Sequence, residues 1–204
     1  MKTARCSTVP KMFTAAAVLA LLAGCATPVG PVEVTRFHDA AALTRLGQGT
    51  ISVEAAPGQD GSSLELRTYQ IAVARELVRL GYTERPESEG AQVALIRVER
   101  FAFQPARSNS PVSVGVGGST GSYGSGIGVG LGIDLSGPPP EQVTTRLIVM
   151  IRDAKGGANI WEGRAEFTVK ATAPAAQAQL GAPKLAEALF KGFPGQSGET
   201  VLVK

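Results

Sequence analysis

Apolar and polar residues alternate most regularly between Val143 and Asp153. Val143, Thr145, Leu147, Val149 and Ile151 face one way, and Thr144, Arg146, Ile148, Met150 and Arg152 face the other. A period of two is the mark of a strand with two unlike faces. Ile160 to Val169 repeats it, with Trp161, Ala165, Phe167 and Val169 on one side and Glu162, Arg164 and Glu166 on the other. Lys155-Gly156-Gly157 between the two stretches is a hairpin signal. Gln92 to Phe103 reads as a long strand, and Arg97 between Ile96 and Val98 gives it one wet face. Val32 to Phe37 and Thr50 to Glu54 are shorter strand candidates. Pro57-Gly58 and Asp60-Gly61 then mark a turn.

The period changes from Leu64 to Leu80. Leu66, Tyr69, Val73, Leu77 and Leu80 form one helical stripe, backed by Arg67, Arg75, Glu76 and Arg79. Ser62 or Ser63 can cap the start, and Gly81 stands where a left-handed residue ends a helix. Near the C-terminus Pro174 and Pro183 open helical stretches. Leu185, Ala188 and Leu189 make a short apolar face before Gly192 and Pro194 stop it. The order predicts an α+β domain: a two-layer, mostly antiparallel sheet with two main helices packed on one face.

Residues 108–140 interrupt that plan with a Gly/Ser/Pro-rich insertion. Val112, Val114 and Val116 alternate with small residues, and Ile127, Val129, Leu131 and Ile133 alternate with glycine. The arms suit a β-hairpin with a bare glycine face or a long loop. A hairpin that docks on a partner or enters a bilayer is the sharper reading, since a spanning strand needs about 9–11 residues. A phosphate cradle does not fit, because no GxGxxG window and no P-loop lysine are present.

The start of the chain reads as an address. Lys2, Arg5 and Lys11 precede the apolar run Met12 to Leu22, and Leu22-Ala23-Gly24-Cys25 follows. A membrane span needs about 20 apolar residues, and this run is shorter. The pattern is a lipoprotein signal, cut between Gly24 and Cys25, with Cys25 acylated on its thiol and new amino group. Several acyl chains, at about 0.8 kcal/mol per buried CH₂, hold a protein on a bilayer permanently. The expected division is 1–24 signal peptide, 25–31 acylated tether and 32–204 a single periplasmic domain. Ala26 after the cysteine resembles lipoproteins sent to the outer membrane.

Processing changes the composition argument. The 204-residue chain carries a formal charge of +3, and all three surplus charges leave with Lys2, Arg5 and Lys11. The 180 residues that remain therefore offer no electrostatic case for nucleic-acid binding. Cys6 leaves with the signal and Cys25 is acylated, so no disulfide and no cysteine metal site is expected. No metal and no cofactor is implied.

Reaction chemistry is not legible. His38 is the only histidine, and its neighbour Asp39 is poorly placed to orient it as a triad requires. No G-x-S-x-G elbow occurs. Glu162 and Glu166 flank Arg164, which cross-strand charge pairing explains without catalysis. A non-enzymatic role is expected. Arg97, Arg146, Arg152 and Arg164 are the candidate partner-binding residues, for an envelope protein, a glycan or a lipid. The other reading is a membrane-active or oligomer-forming subunit that uses the glycine-rich hairpin.

Several short segments are spread in order along the chain: Glu76-Leu77 with Leu80-Gly81-Tyr82, Ala91-Gln92-Val93-Ala94-Leu95, Ile160-Trp161-Glu162-Gly163, and Leu189-Phe190-Lys191-Gly192-Phe193-Pro194. In this order and spacing the chain resembles the bacterial lipoproteins grouped as domain of unknown function 4136. The resemblance implies an anchored, periplasm-facing domain with a small sheet and helices on one side. It implies no catalytic residues. In that frame Trp161 fills the sheet–helix interface, Gly163 leaves room beside it, and Phe193-Pro194 pins the last helix.

Overall fold

The most regular alternation in the sequence lies at the middle of the sheet. The computed structural model describes residues 30–106, 112–121, 124–133 and 137–204, with backbone alone for 112–133. Its strands are β1 (Val32–His38), β2 (Thr50–Ala55), β3 (Thr83–Glu84), β4 (Gln92–Phe103), β5 (Val112–Gly121), β6 (Gly124–Ile133), β7 (Gln142–Asp153), β8 (Trp161–Lys170) and β9 (Thr200–Val203). The main helices are α1 (Leu64–Arg79) and α2 (Ala178–Phe190). Seven strands form one sheet in the order β3-β2-β4-β7-β8-β1-β9, and β5 and β6 pair as a separate two-stranded sheet.

The fold class is α+β, and the sheet is mixed. β4, β7, β8, β1 and β9 pair antiparallel, but β2 runs parallel to both β3 and β4. The parallel pairing follows from α1, which carries the chain from the end of β2 back to the start of β3. Such a crossover is what parallel neighbours require.

Helix α1 starts and stops as its sequence dictates. Ser63 is the N-cap, its Oγ accepting from the Leu66 amide at 3.4 Å. At the other end Tyr82 N–H donates to the Leu77 carbonyl and Gly81 N–H to that of Val78. This paired closure needs a left-handed residue, and Gly81 supplies it at φ +106°. Pro183 lies inside α2 rather than at its start. The helix begins at Ala178, after a 3₁₀ turn at Pro174–Ala176. The proline forfeits one hydrogen bond, and the Gln179 carbonyl that would have accepted it belongs to an exposed residue.

One continuous core joins Leu66, Tyr69, Val73 and Leu77 of α1 and Ala182, Leu185 and Leu189 of α2 to the sheet. From the sheet come Val34, Ile96, Leu147, Val149, Ile151, Ala165 and Phe167. Trp161 is the largest fully buried side chain. It stacks on Phe190 with centroids 5.4 Å apart, meets Phe193 at 5.2 Å, and donates its indole N–H to the Pro194 carbonyl at 3.0 Å. A Cβ at Gly163 would overlap the indole ring and approach Leu189 Cδ1 to 2.8 Å.

Trp161→Ala is expected to cost roughly 3–5 kcal/mol, because it removes the largest core side chain and its hydrogen bond together. Chemical denaturation would measure this, and near-native stability would show that the ring is not core.

Burial sets a pH prediction. Tyr69 is 1% exposed, and desolvation raises its hydroxyl from 10.0 to about 12. Nearby Arg100 lowers it and Glu65 raises it, both by less. Burial raises Tyr82 as well. A tyrosine held neutral by the fold contributes stability that is whole below about pH 10. That stability is lost as pH climbs toward about 12, on the order of 2–3 kcal/mol for Tyr69. Urea midpoints measured from pH 8 to 11 should fall, and Tyr69→Phe should flatten the curve.

Candidate functional site

Strand alternation puts one set of side chains in the core and the other on the opposite sheet face. Register arranges that second set in rows. The first row runs Glu54, Leu95, Met150, Glu162, Phe37 across β2, β4, β7, β8 and β1. Next comes Arg97, Ile148, Arg164, Thr35, and then Glu99, Arg146, Glu166, Glu33. Phe101, Thr144 and Thr168 follow, the two threonine hydroxyls 2.7 Å apart. Ala56, Val93 and Leu95, with Met150 against them, make a small apolar cluster at one end of this face.

A groove of about 330 Å³ lies across the middle rows, lined by Glu33, Thr35, Glu99, Arg146, Ile148, Arg164 and Glu166. Arg146 is its pivot. Its Nε donates to Glu166 at 2.7 Å and its Nη1 to Glu99 at 3.1 Å. The Glu166 hydrogen bond, above all, raises the guanidinium further above its ordinary range. Arg164 donates twice to Glu162, at 3.0 and 2.6 Å, and lies 5.8 Å over the Phe37 ring.

All four candidate arginines therefore share the face, but they do not form a free cationic patch. Arg146 is held by two carboxylates and Arg164 by one. Arg97 donates to the Pro57 carbonyl at 3.2 Å. Arg152 sits beside the small Ala56–Val93–Leu95 cluster, opposite Val93, its Nε buried without a partner among the described residues. The groove itself carries three glutamates against two arginines. Such a surface matches mixed charge on a partner better than a polyanion. Glu33, Glu99, Thr35 and Ile148 were not singled out from sequence. The signal was there in the alternation, but only register shows which residues are neighbours.

The remaining candidates fall elsewhere. Gly24 and Cys25 lie outside the described residues. His38 ends β1, with Nε2 3.2 Å from the Gly195 carbonyl and Nδ1 buried without a partner among the described residues. Asp39 does not serve that ring as a partner; its carboxylate accepts from the Ala41 amide at 2.9 Å and caps the 3₁₀ turn Ala40–Arg45. Among the described residues no helix is long and apolar enough to cross a membrane.

The family model described as "Domain of unknown function (DUF4136)" matches residues 42–195. In three dimensions the chain is similar to a PDZ domain protein from Parabacteroides distasonis ATCC 8503, at 13% identity and a TM-score of 0.47. That match covers 94% of this chain and 42% of the other, so this chain spans less than half of that protein. It is also similar to PelC from Paraburkholderia phytofirmans, a dodecamer, at 10% identity and a TM-score of 0.42, over 81% and 99% of the two chains. No curated protein matches it in sequence.

The Arg146–Glu166 pair is about one-third exposed on each side. A double-mutant cycle with Arg146→Ala and Glu166→Ala should therefore give a coupling below about 1 kcal/mol, shrinking in salt. A coupling of several kcal/mol would mean that the network holds the fold rather than shaping a surface.

Proposed function

This chain belongs to the DUF4136 family, and we propose that it is a lipid-anchored, non-enzymatic envelope module whose open sheet face engages a protein partner. Cys25 carries the acyl groups, the bilayer is the outer membrane, and the domain faces the periplasm. Sheet and helices make two layers, both helices on one side. The observation that carries the reading is the organised charge on the other side. Arg146 is pre-set between Glu99 and Glu166, and Arg164 between Glu162 and Phe37. Side chains already held in place lose less freedom when a partner arrives.

The lipobox supports the address, and the isolation of His38 from Asp39 supports a non-catalytic role. A second reading makes the β5–β6 hairpin the working part of an assembling subunit. Its register sets Gly115 against Gly130 and Gly117 against Gly128, a strip of bare backbone against which another chain can pack closely.

Mass spectrometry of the mature protein should find acyl groups on Cys25, and Cys25→Ser should release the protein from membranes. A photo-crosslinker at Ile148 should capture one envelope protein. That adduct should survive deletion of residues 115–132 and vanish in Arg146→Glu with Arg164→Glu, with circular dichroism unchanged. Loss on the deletion and persistence in the charge reversal would transfer the function to the hairpin.

A further inference from the structure

The two ends of the domain differ in character. β4 runs toward the end where β7, α1 and α2 start, where β8 finishes, and where the chain enters β1. Arg100 ties that end together: it pairs with Glu65 at the start of α1 and donates to the Ala176 carbonyl, at 2.7 Å, just before α2. Around this knot stand four exposed apolar side chains: Leu64 (79%), Phe101 (51%), Phe103 (44%) and Leu180 (55%). The opposite end presents the exposed charged loop residues Glu84, Arg85, Glu87, Glu89 and Lys155, with Leu43 (39%) and Val78 (49%) among its exposed large apolar side chains.

The chain enters β1 at the apolar end as well. Glu33 lies in the same row as Glu99 of β4, four residues from Phe103 and seven from Gln92. At about 3.3 Å per residue, the Phe103 row is about 13 Å from Glu33 and the Gln92 row about 23 Å, in the opposite direction. The eight residues from Cys25 to Glu33 reach at most about 28 Å. An acyl group at Cys25 therefore meets the apolar end with slack. To put the charged end on the bilayer, the tether must double back at nearly full stretch and still clear the loops beyond Gln92.

The geometry points to a bilayer-docking surface made of Leu64, Phe101, Phe103 and Leu180, which stands the domain end-on against the membrane that holds Cys25. This rests on the anchoring proposed above. Large apolar side chains gathered at one end, beside the attachment point, add burial in the interface to the pull of the acyl chains. The rows of the open sheet face beyond Phe101, from Glu99 to Leu95, are then presented sideways to the periplasm.

Spin labels test it, because acylation leaves the mature chain no other free thiol. Phe103→Cys, Leu180→Cys and Glu87→Cys are labelled with a nitroxide, and the acylated protein is placed in phosphatidylethanolamine–phosphatidylglycerol vesicles. At 103 and 180, collisions with dissolved oxygen should rise and those with a water-soluble nickel chelate should fall several-fold relative to 87. Labels at 103 and 180 as wet as at 87, in acylated protein that sediments with vesicles, would overturn the docking alone. Loss of both relaxants there would mean burial against a second copy and overturn it too. Mature wild-type protein that proves to carry no acyl groups on Cys25 and stays in the supernatant would sink the anchoring, and the docking with it.

Discussion

A guanidinium set among main-chain carbonyls fixes how the end of the chain meets its beginning. Arg36, on the core side of β1, is 6% exposed. Its Nε donates to the Leu189 carbonyl at 2.9 Å, and its Nη2 to those of Ala188 and Lys191 at 3.1 and 2.8 Å. Those of Ala188 and Leu189 are among the last carbonyls of α2, which have no partner within the helix and carry its negative end, and Lys191 is its C-cap residue. Burial lowers the Arg36 pKa and Glu199 opposes that in part. Each group is costly to bury alone and they satisfy one another. The helix therefore cannot slide along the sheet without stranding a charge. The segment after α2 closes over the same place. Gly198 N–H donates to the Arg36 carbonyl at 2.8 Å, and the Trp161 indole reaches the Pro194 carbonyl. The result is β9, laid beside β1.

With the helices locked there, the energy of the fold resides in one face of the sheet. The other face is arranged differently. Its ion pairs are partly exposed and individually weak, and Glu166 stands directly opposite Glu33, a like-charge pair that an optimum for stability would avoid. Its side chains are nonetheless tightly organised around Arg146. Order without much stabilisation is what a recognition surface requires.

Local chemistry made much of this readable. Ser63 and Gly81 announce the ends of α1, and the alternation from Val143 to Val169 assigns each side chain of β7 and β8 to a face. What the sequence withheld depends on contacts distant along the chain. β3 and β9 are too short to declare themselves, and each exists because a neighbouring strand offers an open edge. The parallel run of β2 and β4 is a property of the path through α1. Arg36 alternates with Val32 and Val34, so its inward direction was legible. Its three carbonyl partners lie more than 150 residues away and were not. Pro183 misled because prolines favour helix starts, whereas here Gln177 and the preceding 3₁₀ turn start the helix.

The insertion makes the strongest case that one end of the domain has work beyond folding. Phe103 and Gln142 are paired across β4 and β7. Two antiparallel neighbours can be joined by a two-residue turn, so the sheet makes no demand for residues 104–141. Closing a longer loop adds only roughly 0.6 kcal/mol for each doubling, so the core tolerates the length without needing it. A segment that is neither required nor strongly penalised by the fold has its reason elsewhere, and its two stalks leave beside Phe101 and Phe103. The chain's entry into β1, the apolar side chains and the two attachment points of the insertion all sit at that end, while the ordered charges face sideways from it. On the anchoring and docking proposed above, that end meets lipid and the ordered charges are left to a partner.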